Sequence, residues 1–484
     1  MAAQTRTGTE QFAKAATGIL GFEAMTGGGL PQGRTTLLAG GPGSGKTIFA
    51  AQFLMHGAMA CEEPGIFVAF EEVPHRIVSN LGAFGWPLAE LQPEKLYFID
   101  AQPGPDLIQS GEFDLAGMLA AIGAQVSAMG ARRIVFDALD IVLALLPDQA
   151  CVRREIYRLH DWLLKNELTG LVTAKCGGGE AGSLDQQPFG CMQFIVDCYV
   201  VLNHRVALGI SQRSLRIEKY RGCAFDENES PFMVGASGFD VAVVHKPGCE
   251  SGKATSERIT SGVVRLDTML GGGYFRGASV LITGFPGTAK TTLGGAFAQA
   301  ACERGERTLF ISFDSDGSEV IRNLTSVGIR LDRHVASGIL RMICGRTMNG
   351  SAEHLLVRTR SLAKEHKATC LVMDPVSALS RPGNELAAQR LTERLIDWTK
   401  ADGITMVCTS VLDEMAAEVT SRAPLPISAL VDTWIHLNHL MQAGERNRGV
   451  SIIKSRGTAH SNQVHDLILS DEGVTLADRV PTAA

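Results

Sequence analysis

The amino-acid sequence predicts an α/β protein built from two similar domains in tandem, each with a mainly parallel twisted sheet flanked by helices. Three observations support this fold class. Short apolar runs alternate with longer helix-forming segments, which is typical of βαβ units. The same glycine-rich motif occurs once in each half of the 484-residue chain. The length suits two domains of about 240 residues each.

The first glycine-rich motif lies between a predicted strand and a predicted helix, residues 35–39 and 48–61. Its residues are Gly40, Gly41, Pro42, Gly43, Ser44, Gly45, Lys46 and Thr47. G-x-x-x-x-G-K-T in this context is the phosphate-binding P-loop, in which backbone N–H groups at a helix N-terminus surround phosphate oxygens. We therefore expect Lys46 to contact the β- and γ-phosphates of a nucleotide and Thr47 to hold Mg²⁺.

The motif returns in the second half of the chain, after the apolar run 279–283 and Gly284. The predicted nucleotide-binding residues there are Phe285, Pro286, Gly287, Thr288, Ala289, Lys290, Thr291 and Thr292. Upstream, the glycine-rich segments 25–29 and 269–273 match at the same spacing from each motif. For one motif alone, the alternative is a glycine-rich turn that is followed by Lys and Thr by chance. A chance match would not occur a second time with the same flanking segments. The sequence therefore contains two copies of one nucleotide-binding unit.

Acidic residues end several of the predicted strands. The runs 133–137 and 370–374 each consist mainly of apolar residues and end in Asp137 and Asp374, the pattern of a buried parallel strand that presents a carboxylate to Mg²⁺. With Thr47 and Thr291, these aspartates are the predicted metal ligands. Glu71 and Glu72 follow the predicted strand 66–70. Their spacing alone also fits a solvated strand end.

The composition restricts the function classes. The net charge is −6, which does not favour binding to nucleic acid or to an acidic membrane. The 11 cysteines are odd in number and lack a C-x-x-C pair, so we expect reduced core thiols in a cytoplasmic protein. The sequence shows neither a secretory signal nor an apolar run of about 18 residues, so we expect neither secretion by a signal peptide nor a membrane-spanning helix.

Composition shifts suggest the domain limits. We expect a flexible N-terminal arm over 1–16, a first domain over 17–246, a linker rich in Gly, Ser and Lys over 247–258, a second domain over 259–475, and a short tail over 476–484.

At the level of motifs the chain resembles the KaiC family, the two-domain RecA-like ATPases of circadian clocks. The shared motifs are the two P-loops, the segment 261–267, the Phe-Glu-Glu strand end, the segment 111–115, and the two Lys-x-Arg-Gly sequences that begin at Lys219 and Lys454. The resemblance implies tandem RecA-like domains that form a homohexamer with ATP and Mg²⁺ at the subunit interfaces. In that family the first domain is a slow ATPase, and the second phosphorylates its own Ser/Thr pair.

The resemblance also implies residue roles. Glu71 and Glu72, with Asp314 in the second domain, fall where the family polarises the attacking water or hydroxyl. Carboxylates suit that role because the nucleophile needs orientation and a proton acceptor. The pairs Lys219 with Arg221 and Lys454 with Arg456 match residues that reach the γ-phosphate of the neighbouring subunit. Without the resemblance, a surface ion pair would be the better interpretation of either pair.

The chain departs from the best-known family members in four places. Ala289 replaces the last P-loop glycine, where we expect an ordinary φ angle and a crowded turn. Asp314-Ser315 stands in place of two glutamates, which should weaken activation of water or hydroxyl. Ser428-Ala429 retains only one hydroxyl of the phosphorylation pair. The sequence ends at Ala484 with almost no C-terminal tail, so we do not expect activation by a KaiA-type partner.

These departures indicate a KaiC homologue of the non-clock bacterial type. It would act as a nucleotide-state switch for a KaiB-like protein or a signalling kinase, with Ser428 as a weak phosphorylation site. Two other hypotheses stay open from the sequence. One is a RecA/RadA-like DNA-dependent ATPase, which the acidic net charge disfavours; the other is a nucleotide-gated scaffold with negligible turnover.

Overall fold

The computed structural model describes residues 13–104, 115–176, 190–207, 210–235, 238–242, 255–344, 352–379, 385–412, 427–442 and 445–477. The chain divides into two compact units, Met1–Val243 and Val244–Ala484. Parts of several predicted segments lie outside the described residues: the arm up to residue 12, the motif residues 111–114, the linker over 247–254 and the tail from residue 478. None of the described helices is both long and apolar enough to span a membrane.

The first unit contains eleven strands among its described residues. They are β1 (Lys14–Ala15), β2 (Leu30–Pro31), β3 (Thr35–Gly40), β4 (Gly65–Ala69), β5 (Leu96–Asp100), β6 (Arg133–Asp137), β7 (Thr169–Lys175), β8 (Cys198–Ala207), β9 (Ile210–Tyr220), β10 (Ser230–Gly235) and β11 (Gly238–Val241). Nine of them form one sheet in the order β11-β10-β9-β8-β3-β7-β6-β4-β5. The six strands from β8 to β5 are parallel, and β9 to β11 extend the sheet as antiparallel strands.

Helices cover both faces of this sheet. They are α1 (Leu20–Thr26), α2 (Lys46–Ala60), α3 (Pro74–Leu81), α4 (Leu88–Leu91), α5 (Leu115–Met129), α6 (Asp140–Leu143), α7 (Gln149–Lys165) and α8 (Met192–Ile195), with a 3₁₀ turn at Gly82–Phe84. Neighbouring residues of β3 enter different cores, because Leu37 packs with α5 and α7 whereas Leu38 packs with α2. Burial on both faces explains why the parallel strands are continuous apolar runs.

The second unit repeats this architecture. Its strands are β12 (Arg258–Ile259), β13 (Tyr274–Phe275), β14 (Ser279–Gly284), β15 (Thr308–Ser312), β16 (Leu340–Cys344), β17 (Cys370–Asp374), β18 (Thr405–Val411), β19 (Thr433–Gln442), β20 (Glu445–Ser455), β21 (His465–Ser470) and β22 (Gly473–Ala477). Its helices are α9 (Val264–Met269), α10 (Lys290–Glu303), α11 (Gly317–Thr325), α12 (Asp332–Ala336), α13 (Ala352–His366), α14 (Glu385–Ala401) and α15 (Ile427–Leu430), with a 3₁₀ turn at Val376–Leu379. The sheet order β16-β15-β17-β18-β14-β19-β20-β21-β22 matches that of the first unit strand for strand.

The predicted fold class is confirmed: each unit is a RecA-like α/β unit with a mainly parallel sheet. The strands predicted at 133–137 and 370–374 are present with these limits. At the N-terminus, Lys14–Ala15 pairs antiparallel with Leu30–Pro31, so these two residues of the predicted arm belong to the first unit. The predicted domain limits themselves stay predictions.

Candidate functional site

The first P-loop joins the central strand β3 to helix α2. Gly43 and Gly45 have φ angles of 68° and 95°, a left-handed conformation that glycine adopts without steric cost. The Nζ atom of Lys46, the first residue of α2, donates hydrogen bonds to the carbonyls of Gly40 at 2.8 Å and Gly41 at 3.0 Å. Burial lowers the pKa of Lys46, and the carboxylates of Asp137 and Asp140 oppose that shift. The loop therefore places an ammonium group at the helix N-terminus, where an anion is favoured.

Two candidate oxygen ligands lie side by side next to this loop. The hydroxyl of Thr47 donates to Oδ2 of Asp137 at 3.0 Å, and Thr173 on β7 donates to Oδ1 at 2.6 Å. Asp137 is buried, and burial raises its pKa although both hydroxyls stabilise the ionised form. A hydroxyl and a carboxylate suit Mg²⁺, which prefers oxygen ligands and usually takes one or two carboxylates plus phosphate oxygens. The residues present therefore fit a nucleotide with Mg²⁺.

The two glutamates after β4 have different surroundings. The backbone N–H of Phe70 bonds the carbonyl of Asp137 at 3.2 Å, which holds the end of β4 beside the end of β6. Oε1 of Glu71 is 2.6 Å from Nζ of Lys175 at the end of β7. Oε1 of Glu72 instead accepts a hydrogen bond from Asn80 on α3 at 3.2 Å. Lys175 lies next to Gly40 in the sheet register, at the strand ends where the P-loop begins. Glu71, which contacts Lys175, is therefore the glutamate directed toward the P-loop edge, as we call these strand ends.

The second P-loop has the same binding geometry. Nζ of Lys290 donates to the carbonyls of Gly284 at 2.8 Å and Phe285 at 2.7 Å. The hydroxyls of Thr291 and Thr409 both bond the buried carboxylate of Asp374, whose pKa is raised by burial. Burial also lowers the pKa of Lys290.

One expectation for this loop is wrong. Ala289 does not take an ordinary φ angle but a left-handed one, φ 77° and ψ 30°, like Gly45 at the corresponding position. Lys290 makes the same two carbonyl bonds as Lys46 in this geometry, and alanine is held in a conformation that costs an L-residue about 1–2 kcal/mol.

Asp314 is the second-unit counterpart of Glu71. The N–H of Phe313 bonds the carbonyl of Asp374 at 2.8 Å, as Phe70 does to Asp137. The carboxylates of Asp374 and Asp314 lie close enough to oppose the lowering of the pKa of Lys290 by burial. The counterpart of Lys175 is Val411, which lies next to Gly284 in the register. The second unit therefore has a shorter acid at this strand end, and a valine in the position of Lys175.

The Lys-x-Arg pairs lie at the other end of each sheet. Lys219 is opposite Tyr199 in β8, near the strand start, whereas the P-loop begins where Gly40 is paired with Leu202. At about 3.3 Å per residue, the backbone of Lys219 is about 10 Å along the strand from the level at which the P-loop begins, and Arg221 is further away. Lys454 is likewise opposite Trp434 near the start of β19, and the second P-loop begins at the level of Leu437.

The basic side chains bind a short helix of their own unit. Lys219 donates to the carbonyls of Gln193 and Phe194 at 3.0 Å each, and Arg221 to Phe194 at 2.8 Å, all on α8. In the second unit the corresponding bonds go to α15. Lys454 donates to Ser428 at 3.1 Å and to Ala429 at 3.0 Å, and Arg456 to Ala429 at 2.6 Å.

A model of the KaiC ATPase family matches residues 15–246 and 259–480. The chain belongs to the KaiC family. The circadian clock protein KaiC2 of Synechocystis sp. is 36% identical over 468 residues, covering 96% of this chain and 81% of the relative. KaiC3 of the same organism is 33% identical and KaiC of Synechococcus elongatus 32% identical, covering 96% and 97% of this chain and 92% and 90% of the relatives.

Sequence reasoning missed several residues at these KaiC-type sites. Thr173 and Thr409 bond the two aspartates, and Lys175 bonds Glu71. Arg213 and Arg448, on β9 and β20, donate to the P-loop carbonyls of Gly43 at 3.4 Å and Gly287 at 3.0 Å. The arginines could have been found, because each precedes its Lys-x-Arg pair by the same number of residues. The threonines gave no signal, since hydroxyls in buried strands are common.

Proposed function

We propose that this KaiC-family ATPase forms a closed ring, a homohexamer, in which each ATP site is completed by a neighbouring subunit and the nucleotide state is the output signal. The position of the basic pairs supports this. They lie at the opposite end of the strands from the P-loop of their own unit. The basic pairs can therefore contact a phosphate only if that phosphate is bound by another copy; their residues are Lys219, Arg221, Lys454 and Arg456. Head-to-tail contacts of this kind form a closed ring when the rotation between neighbouring copies closes.

In the first unit, residues 41–47 hold the phosphates, and Thr47 and Asp137 hold Mg²⁺. The bound metal ion neutralises charge on the phosphate oxygens. Glu71 orients the attacking water and accepts its proton, and Glu72 supports the strand end through Asn80. The geometry favours Glu71 for the direct role because its carboxylate faces the P-loop edge. Lys219 and Arg221 of a neighbouring copy stabilise charge that develops in the transition state.

In the second unit, residues 285–292 hold the nucleotide, and Thr291 and Asp374 hold Mg²⁺. Asp314 is one methylene shorter than glutamate, so hydrolysis there is weaker. Ser428 is the hydroxyl that can accept phosphate as a Ser autokinase site. Ser428 lies on α15, near the amino-terminal ends of the parallel strands, and its carbonyl accepts a hydrogen bond from Lys454. It would therefore meet the P-loop of a neighbouring copy.

The single observation that carries the proposal is the separation of P-loop and basic pair within one unit. Mixing two variants whose first-unit sites are each incomplete tests it. Lys46→Ala removes the P-loop lysine, and Arg221→Ala removes the residue supplied to the neighbour. In a mixed ring, an Arg221→Ala subunit next to a Lys46→Ala subunit has one complete site.

With random mixing, on the order of a quarter of the first-unit sites are complete, and phosphate release returns to about that fraction of wild type. The control is a chain that carries both substitutions, mixed with wild type, in which every complete site must come from adjacent wild-type subunits. Light scattering checks that each mixture has the hexamer mass. No recovery on mixing the single variants, with the hexamer mass retained, would contradict sharing of sites.

The partner is proposed on the resemblance alone: a KaiB-like protein or a signalling kinase that distinguishes the ATP- and ADP-bound ring in the cytoplasm. The comparisons give no support for the RecA/RadA-like DNA-dependent alternative over the KaiC family. Pull-down with ATP- and ADP-loaded rings tests the partner. Capture that is the same in both states would contradict a nucleotide-state switch.

A further inference from the structure

A charged group at the end of β7 sets the first unit apart from the second. Lys175 lies next to Gly40 in the sheet register, at the strand end where the P-loop begins. Its ammonium is 2.6 Å from Oε1 of Glu71. Its backbone N–H bonds Oδ1 of Asp140 at 3.3 Å, and Asp140 is buried in α6 directly after the metal-ligand strand. The group therefore connects the strands that carry the P-loop, the predicted metal ligand and the predicted base.

This ion pair contributes little to the free energy of unfolding. The side chains of Lys175 and Glu71 are 40% and 52% exposed, and ion pairs with such exposure contribute little to folding. Its effect is on geometry. A glutamate at a strand end has three side-chain torsions, and one hydrogen-bonded contact to a fixed partner removes most of that freedom. The backbone of Glu71 is fixed as well, because Gln102 donates to its carbonyl at 2.7 Å.

The second unit provides the matched comparison. Val411 replaces Lys175, and its N–H bonds the hydroxyl of Ser377 at 3.0 Å where Lys175 bonds Asp140. The backbone arrangement is thus retained, while both charged side chains are replaced by uncharged ones. The unit with the longer predicted base is the unit that has the lysine.

We propose that Lys175 is a positioning residue for the ATPase of the first unit, and that it holds the carboxylate of Glu71 at the P-loop edge in the orientation needed to direct water. The inference rests on the proposed role of Glu71 and deepens it. Asp140 fixes the end of β7 from which Lys175 extends. Lys175 acts only through Glu71 and not on the nucleotide.

The contact itself is tested without nucleotide, by acylating surface amines and measuring the labelling rate of Lys175 by mass spectrometry. The bond from Glu71 raises the pKa of Lys175, so the reactive neutral amine is scarce. In Glu71→Gln we expect labelling of Lys175 to become several-fold faster, because loss of the bond to the carboxylate lowers the pKa of Lys175 and leaves more of the reactive neutral amine. Exposed Lys165 at the end of α7 is the internal control and should not change. An unchanged rate at Lys175 would overturn the inference.

The positioning role is tested with Lys175→Met and Lys175→Arg. We expect Lys175→Met to lower kcat for ATP about tenfold and to leave KM within about twofold, since displacements of about an ångström cost up to a hundredfold. Lys175→Arg keeps a cation at this place and should restore most of the rate. In a Glu71→Gln background, Lys175→Met should have no further effect.

The outcomes separate two failures. A large loss in Glu71→Gln with none in Lys175→Met overturns this inference and leaves the proposed function intact. No loss in either variant overturns both this inference and the proposed role of Glu71. A raised KM with unchanged kcat in Lys175→Met would show that the lysine binds nucleotide directly, which also contradicts a role through Glu71.

Discussion

The first and second units hold their P-loop lysines and buried aspartates in the same way, but they differ in the residues at the neighbouring strand ends. Lys46 and Lys290 make equivalent bonds to two loop carbonyls, and two threonines bond each aspartate. Glu71, Lys175 and Asp140 of the first unit are replaced by Asp314, Val411 and Ser377. In the proposed mechanism, nucleotide binding and activation of water are carried by separate residues, which can change independently on one fold.

The largest expected difference concerns phosphorylation by the second unit. Ser428 is retained but Ala429 has no hydroxyl, and Asp314 must accept the proton from a position about an ångström further away, which can cost about a hundredfold in rate. We expect one slow phosphate per chain, or none, after long incubation with Mg²⁺ and ATP. Any phosphate should disappear in Ser428→Ala. Intact-mass measurement decides this, and two phosphates lost together in Ser428→Ala would show that the site is misplaced.

The two buried aspartates provide a smaller test. Thr173→Val and Thr409→Val each remove a hydroxyl that bonds a buried carboxylate, and we expect each to lower the free energy of unfolding of the nucleotide-free protein by about 1–3 kcal/mol. Thr173 should cost more, because its hydroxyl also accepts a bond from the N–H of Ala138 at 2.8 Å, whereas the residue after Asp374 is Pro375, which has no N–H. Urea unfolding measures both. Equal losses would contradict this difference.

The pH dependence of these variants has a defined sign. Burial raises the pKa of Asp137 above its unfolded value, so the folded state binds its proton more tightly and the stability contributed by this group falls as pH rises through the folded pKa. Removing the Thr173 hydroxyl takes away a bond to the ionised form. The loss in Thr173→Val should therefore be smallest in acid and grow as pH rises.

The smallest expected effect is at the last P-loop position. Gly45→Ala should lower the free energy of unfolding by about 1 kcal/mol, and Ala289→Gly should raise it by a similar amount, because both positions have left-handed backbone. A methyl group at Gly45 would be 3.4 Å from the ring of Phe239, an ordinary contact, so the cost is one of conformation. Changes of the same sign in the two variants would contradict the matched geometry.

Much of the fold follows from local patterns in the sequence. Buried parallel strands are apolar on both faces, so the runs that end in Asp137 and Asp374 were readable with their limits. The antiparallel strands β8 and β9 extend beyond the short apolar cores predicted for them, because their ends are exposed and carry polar residues such as His204 and Gln212. Helix α7 was not predicted at all. Its buried residues recur at helical spacing, but arginines interrupt them in the sequence.

The site could be predicted only where a motif is contiguous. The P-loop residues are consecutive, and their geometry follows from that order. The contact of Lys175 with Glu71 joins residues that are far apart in the sequence, and only the registers of β7 with β6 and of β6 with β4 bring them to the same end of the sheet. Ala289 shows that a prediction can also be wrong within a contiguous motif. Its sequence suggested an ordinary backbone, but the surrounding loop determines φ.

The central claim is that the first unit carries most of the hydrolysis, and phosphate release from two variants of the full chain tests it most directly. Glu71→Gln/Glu72→Gln removes the carboxylates of the first unit, whereas Lys290→Ala removes the P-loop lysine of the second. Light scattering first confirms that both variants keep the mass of the wild-type ring. We expect the double glutamine variant to lose most phosphate release and Lys290→Ala to keep most of it. The reverse ranking would contradict the assignment of hydrolysis to the first unit.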